Sequence, residues 1–166
     1  MTVVLEAPGG TLAMSTEHGA KITSLRDTFA HREWLEQPRA GLADFSPAVS
    51  FDEGDLGGWD EMTPTIDARR DRGTTNELAE HGDLGRTPWT LEEVSARAVT
   101  TSVFGTSLPI WLSRTVEVSA QRVDLHYSLQ TRAPGRCTCS TRPTPCSATF
   151  RGPGLCSTPG PTAWSS

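Results

Sequence analysis

Alternation at period two constrains this chain more than any other feature. In Gln121-Arg122-Val123-Asp124-Leu125-His126-Tyr127-Ser128-Leu129, the residues Val123, Leu125, Tyr127 and Leu129 fall on one face and the other face is polar. That is the pattern of an antiparallel strand with one side wet. Upstream, Trp89, Leu91 and Val94 predict one strand and Ala98–Phe104 another. Ile110, Leu112, Val116 and Val118 predict a third, with Arg114 and Glu117 outward, and Ser119-Ala120-Gln121 as the loop that follows. Near the N-terminus, Val3–Glu6 and Thr11–Ser15 flank Ala7-Pro8-Gly9-Gly10 as a hairpin. Ala20–Leu25 and Arg32–Glu36 predict two further strands. No segment carries a capped apolar stripe at the helical period, so the expected class is all-β, an antiparallel β-sandwich.

The alternation ends near Thr131, and the composition changes there too. Residues 1–130 hold all 20 acidic residues against 11 Lys and Arg, a net charge of −9. Residues 131–166 hold four Arg, six Pro, all four Cys and no acid, a net charge of +4. At 166 residues the expectation is one domain: a partial sandwich over 1–130 and an irregular Pro/Arg/Cys-rich tail over 131–166. Six prolines cannot donate to a sheet ladder. Cys137, Cys139, Cys146 and Cys156 lack the paired spacing of a zinc site, and nothing indicates the secretion that a disulfide framework favours. The chain has 14 Arg and one Lys, as a GC-rich gene would give. Reading a back-translated tail in a shifted frame restores globular alternation, so a frameshift near Thr131 is the expected origin of the tail. An acidic folded part excludes a nucleic-acid face, which needs a basic stripe. No stretch reaches the ~20 apolar residues of a membrane span. Met1–Glu6 has neither a basic start nor a long apolar run, so a cytoplasmic protein is expected.

Residues 37–85 are broken repeatedly by Gly and Pro, and a stretch this long without periodicity is either functional or disordered. Two segments in and just beyond it place an indole beside carboxylates: Gly57-Gly58-Trp59-Asp60-Glu61-Met62-Thr63-Pro64-Thr65-Ile66, and Glu80-His81-Gly82-Asp83-Leu84-Gly85-Arg86-Thr87-Pro88-Trp89. An indole offers a flat apolar face to the C–H side of a pyranose, and carboxylates suit its hydroxyls. The alternative is that Trp59 and Trp89 are core aromatics and the acids are solvated loop residues. Asp67–Asn76, with Arg69, Arg70 and Arg72 among acids, reads as a solvated excursion or a phosphate contact. His18 and His31 read as surface residues.

These two segments resemble the aldose 1-epimerase (galactose mutarotase-like) family, in which Gly-Trp-Asp-Glu-x-x-Pro-Thr precedes His-Gly-x-Leu…Trp. Gly19–Asp27 and Arg32–Leu35 resemble the same family's N-terminal strands. The resemblance covers roughly residues 10–130 and stops at about Thr131. It implies a galactose mutarotase-like supersandwich, truncated in this chain.

It also implies chemistry. Ring opening of an aldose needs a base for the anomeric hydroxyl proton and an acid for the ring oxygen. By motif position His81 is the implied catalytic residue, on the ring-oxygen side. Arg86 is the implied hydroxyl or phosphate contact, Trp59 and Trp89 are the pocket walls, and Asp60 and Glu61 lie near the rim. For Asp60, Glu61 and Asp83, turn bonding by short polar side chains is the competing reading. No metal or nicotinamide is needed, and no glycine-rich phosphate fingerprint is present. The family's second histidine and late glutamate lie beyond the matched region. His126 sits on a polar strand face outside that motif, and no carboxylate follows Asp124. The expectation is an aldose-binding protein, its ligand free or phosphorylated, with impaired turnover. The alternative is a non-catalytic carbohydrate-binding or interaction module. An exposed inner sheet face would also allow a homodimer.

Overall fold

A computed structural model describes residues 1–37, 57–70 and 77–131, together with the backbone of a strand at Cys146–Phe150. The hairpin at the N-terminus forms as the alternation predicts: β1 (Thr2–Ala7) and β2 (Gly10–Ser15). β3 (Lys21–Asp27) and β4 (Arg32–Glu33) complete a four-stranded antiparallel sheet in chain order. The two-residue strands β5 (Arg69–Arg70) and β6 (Glu77–Leu78) pair with each other, and a short 3₁₀ turn spans Leu84–Arg86. The second sheet follows: β7 (Thr90–Val94), β8 (Ala98–Phe104), β9 (Ile110–Val118), β10 (Val123–Thr131) and β11 (Cys146–Phe150), again neighbour to neighbour. Every strand pair is antiparallel. There is no α-helix among the described residues, and none long and apolar enough to cross a membrane.

One core joins the sheets. Val3, Leu5, Leu12, Met14 and Ile22 from the first pack with Val99, Val103, Leu112, Val116 and Leu125 from the second. Backbone bonds tie the layers at their margins, Glu6 N–H to the Ala96 carbonyl (3.0 Å) and Trp89 N–H to the Thr16 carbonyl (2.8 Å).

Three expectations change. Arg114, expected outward, is fully buried, because β9 turns Ile110, Leu112, Arg114, Val116 and Val118 to one face. The strand expected over Arg32–Glu36 stops at Glu33. Its carboxylate accepts the N–H groups of Leu25 (2.9 Å) and Leu35 (3.1 Å) and the Ser24 hydroxyl (2.6 Å), taking backbone donors that a longer ladder would have paired. Within the stretch expected to be irregular, the Pro- and Gly-free run Cys146–Phe150 pairs with Leu125–Leu129. The other tail residues, and those at 38–56 and 71–76, lie outside the described residues.

Candidate functional site

The two indole–acid segments fold against each other. The Thr63 carbonyl accepts the N–H groups of Asp83 and Leu84, each at 3.2 Å, and His81 N–H bonds the Ile66 carbonyl at 2.8 Å. The Thr65 hydroxyl donates to the Ala79 carbonyl at 2.7 Å. Glycine makes this seam possible. A Cβ on Gly82 (φ +70) would lie 2.0 Å from the Thr63 carbonyl oxygen, and one on Gly85 2.4 Å from that of Glu61. His81 itself holds a left-handed backbone (φ 57), a conformation costing a non-glycine residue roughly 1–3 kcal/mol and concentrated at functional positions.

Trp59 is anchored to the first sheet by reciprocal backbone bonds with Ile22, at 2.9 and 3.1 Å. The next two residues enter ion pairs. Asp60 Oδ2 lies 3.3 Å from Lys21 Nζ, with the two side chains 11% and 1% exposed. Glu61 Oε1 accepts Arg114 Nη1 at 2.6 Å and the Tyr127 hydroxyl at 2.5 Å. Arg114 also donates to the Ala20 carbonyl and Met14 Sδ, and its guanidinium lies 5.2 Å from the centre of the Trp89 ring. Burial, and then the Glu61 carboxylate, push the Tyr127 hydroxyl well above its ordinary pKa. Tyr127 therefore stays a donor to Glu61 at any physiological pH.

Between the sheets lies a concavity of about 1200 Å³. Trp34, Trp59, Glu61 and Tyr127 line it, over a floor that includes Ile22, Leu25 and Leu125. Trp59 is 45% exposed there. His81, Asp60, Arg86 and Trp89 are not among its lining residues. Trp89 is buried, with its indole N–H on the Leu84 carbonyl at 2.9 Å. His81 and Arg86 are half-buried along the seam, whose Thr63 does reach the concavity wall. Asp83 has a bracing role: its carboxylate accepts N–H and hydroxyl donors from both Thr106 and Ser107, between 2.5 and 3.0 Å. Burial alone would raise that carboxyl, but these four bonds outweigh it and hold it below the ordinary value.

Four residues of this arrangement were not expected from the sequence: Lys21, Trp34, Arg114 and Tyr127. Arg114 was legible, since it shares the even parity of Ile110, Leu112, Val116 and Val118. A buried arginine then demands a buried carboxylate, and the Trp-Asp-Glu run is the natural supply. Among the described residues there is no cluster of three or more His, Cys, Asp and Glu able to hold a metal ion.

By sequence, no protein-family model and no curated protein matches the chain. By structure, solved galactose mutarotase-like proteins do. A galactose mutarotase related enzyme from Lactobacillus acidophilus superposes with a TM-score of 0.60 at 14% identity, over 78% of this chain and 43% of that one. A galactose mutarotase-like protein from Lactobacillus casei gives 0.58 at 15%, over 78% and 44%. A putative aldose 1-epimerase from Escherichia coli K12 gives 0.55 at 12%, over 80% and 47%. The chain therefore has the β-sandwich fold of galactose mutarotase-like proteins and spans less than half the length of these three.

Proposed function

We propose that this chain is an aldose 1-epimerase-like carbohydrate-binding protein whose turnover of anomers is impaired. The observation that carries the reading is the seam itself. It joins the Trp59–Glu61 segment to the His81–Arg86 segment through the Thr63 carbonyl, and the same Thr63, with Trp59 and Glu61, walls a concavity large enough for a sugar. Trp59 supplies the apolar face for a pyranose and Glu61 an acceptor for its hydroxyls. His81, held in a left-handed conformation, and Arg86 lie along the seam outside the concavity's lining. By motif position they are the groups for the ring-oxygen side and for a hydroxyl or a phosphate, so a sugar that engages them must extend from the concavity past Thr63.

Interconversion of anomers needs an acid and a base together. Asp60 is ion-paired with Lys21 and Glu61 with Arg114, which favours holding a sugar over moving its protons. That pairing supports a second reading, a non-catalytic carbohydrate-binding module. Polarimetry on α-glucose and α-galactose separates the two: acceleration over the uncatalysed rate supports an epimerase. If there is none, saturable quenching of tryptophan fluorescence by either sugar supports a binding module. His81→Ala is expected to abolish whichever response exists, and an unchanged response assigns the sugar elsewhere.

A further inference from the structure

β3 carries one more residue than the β2 segment it faces. Leu12 pairs with Leu25 and Ala13 with Ser24, but Met14 pairs with Ile22. Thr23 is the extra residue, its hydroxyl on the Ala13 carbonyl at 3.3 Å. A bulge resets the alternation of a strand, so Ile22 and Leu25 turn to the same face although an odd number of positions separates them. The outer edge of β3 repeats these two rows: Trp59 bridges Ile22, and Trp34 N–H bonds the Leu25 carbonyl at 2.9 Å. Both tryptophans consequently line the concavity, on rows of the sheet two ladder steps or roughly 7 Å apart along the backbone. Trp34 is 54% exposed, with Arg32 against its ring at 4.1 Å.

Glu61 supplies a polar point in the same concavity. Its side chain is 10% exposed, and the bonds from Arg114 and Tyr127 both fall on Oε1. Oε2 has no hydrogen-bond donor among the described residues. A nearly buried carboxylate oxygen in the wall of an aromatic trough is matched by a ligand with apolar C–H faces and hydroxyl donors. The volume, about 1200 Å³, lies above the ~300–1,000 Å³ usual for a small-molecule pocket, and two indoles offer two stacking positions.

We propose that this concavity takes a saccharide of at least two pyranose rings, one against Trp59 and the next against Trp34, with Glu61 Oε2 accepting a ring hydroxyl. The proposal rests on the reading of the site as a sugar site and narrows its ligand from a single aldose to an oligosaccharide. The test is isothermal titration of the full chain with glucose, maltose and cellobiose. At least one disaccharide is expected to bind about tenfold or more tighter than glucose, ~1.4 kcal/mol. Trp34→Ala is expected to reduce the disaccharide's affinity to that of glucose, and Trp34→Phe, which keeps a stacking face, to retain most of it. Equal affinity for all three sugars overturns the two-ring site and leaves the single-aldose site standing. No heat with any sugar overturns both. Full disaccharide affinity in a folded Trp34→Ala variant also overturns it.

Discussion

Between Arg114 and Glu61, 2.6 Å apart, a guanidinium with no exposed surface meets a carboxylate that is 10% exposed. Removing one partner of such a pair strands the other charge out of water, which costs about 3–5 kcal/mol. Arg114→Leu should therefore lower the urea midpoint sharply, and the double variant Arg114→Leu/Glu61→Leu should recover most of the loss. A single variant within about 1 kcal/mol of the parent, on the scale of an exposed pair, would show that the two charges are not coupled as drawn. Tyr127→Phe should cost about 1.5–3 kcal/mol, the worth of a hydrogen bond to a charged group, while leaving the sheets intact. At this scale the sequence singles out candidate residues and is weak on their partners. Trp59, Glu61 and His81 stand out as residue types in a punctuated segment. Glu61's partners come from β9 and β10, more than fifty positions away, and pairing at that separation leaves no local trace. Arg114 is the exception, since parity alone places it inward.

Among the elements, the seam and its brace determine how firmly the candidate site is held. Gly82 must adopt φ +70 with the Thr63 carbonyl directly behind it. Gly82→Ala should cost more than the ~1–2 kcal/mol of the left-handed backbone alone, because the Cβ must also displace that carbonyl. A loss below that range in a thermal melt would mean the two segments separate easily. Asp83 fastens the seam to the β8–β9 loop, and its carboxyl is held below the ordinary 3.8. With the folded value depressed, its contribution is complete above the unfolded value, near pH 4, and is lost as pH falls through the folded one. Asp83→Asn should therefore remove part of the acid-side decline in stability. An identical pH profile in parent and variant would contradict the brace. The strands were legible because alternation is local: β8 and β9 run as the sequence predicts, Ala98–Phe104 and Ile110–Val118. The Thr23 bulge leaves a trace, the three-position offset between the apolar Ile22 and Leu25, which a reading of Ala20–Leu25 as one regular strand passes over. The early end of β4 depends on the Glu33 carboxylate folding back on its own backbone, which residue type does not announce.

Across the whole molecule, two antiparallel sheets share a single core and leave a concavity on one side, lined by the tips of two hairpins, β1–β2 and β9–β10, and by the edge of β3. A sugar that binds only the folded state stabilises it by mass action, by ~2.7 kcal/mol at a hundredfold excess over Kd. Thermal melts in galactose or glucose should shift upward and saturate, and His81→Ala should remove the shift. A second copy covering the same face would instead give a concentration-dependent melt that sugar opposes. The all-β class followed from periodicity, and the galactose mutarotase-like form of the sandwich followed from the motif pair.

On the proposed function, the Trp59–Glu61 and His81–Arg86 segments together present a saccharide surface. The indole N–H resonances of the five tryptophans, followed by ¹H–¹⁵N correlation spectra through a galactose and a glucose titration, test it residue by residue. The Trp59 signal should move and saturate, while that of Trp89, buried and bonded to the Leu84 carbonyl, stays in place. Spectra in which Trp59 remains still at saturating sugar would contradict it.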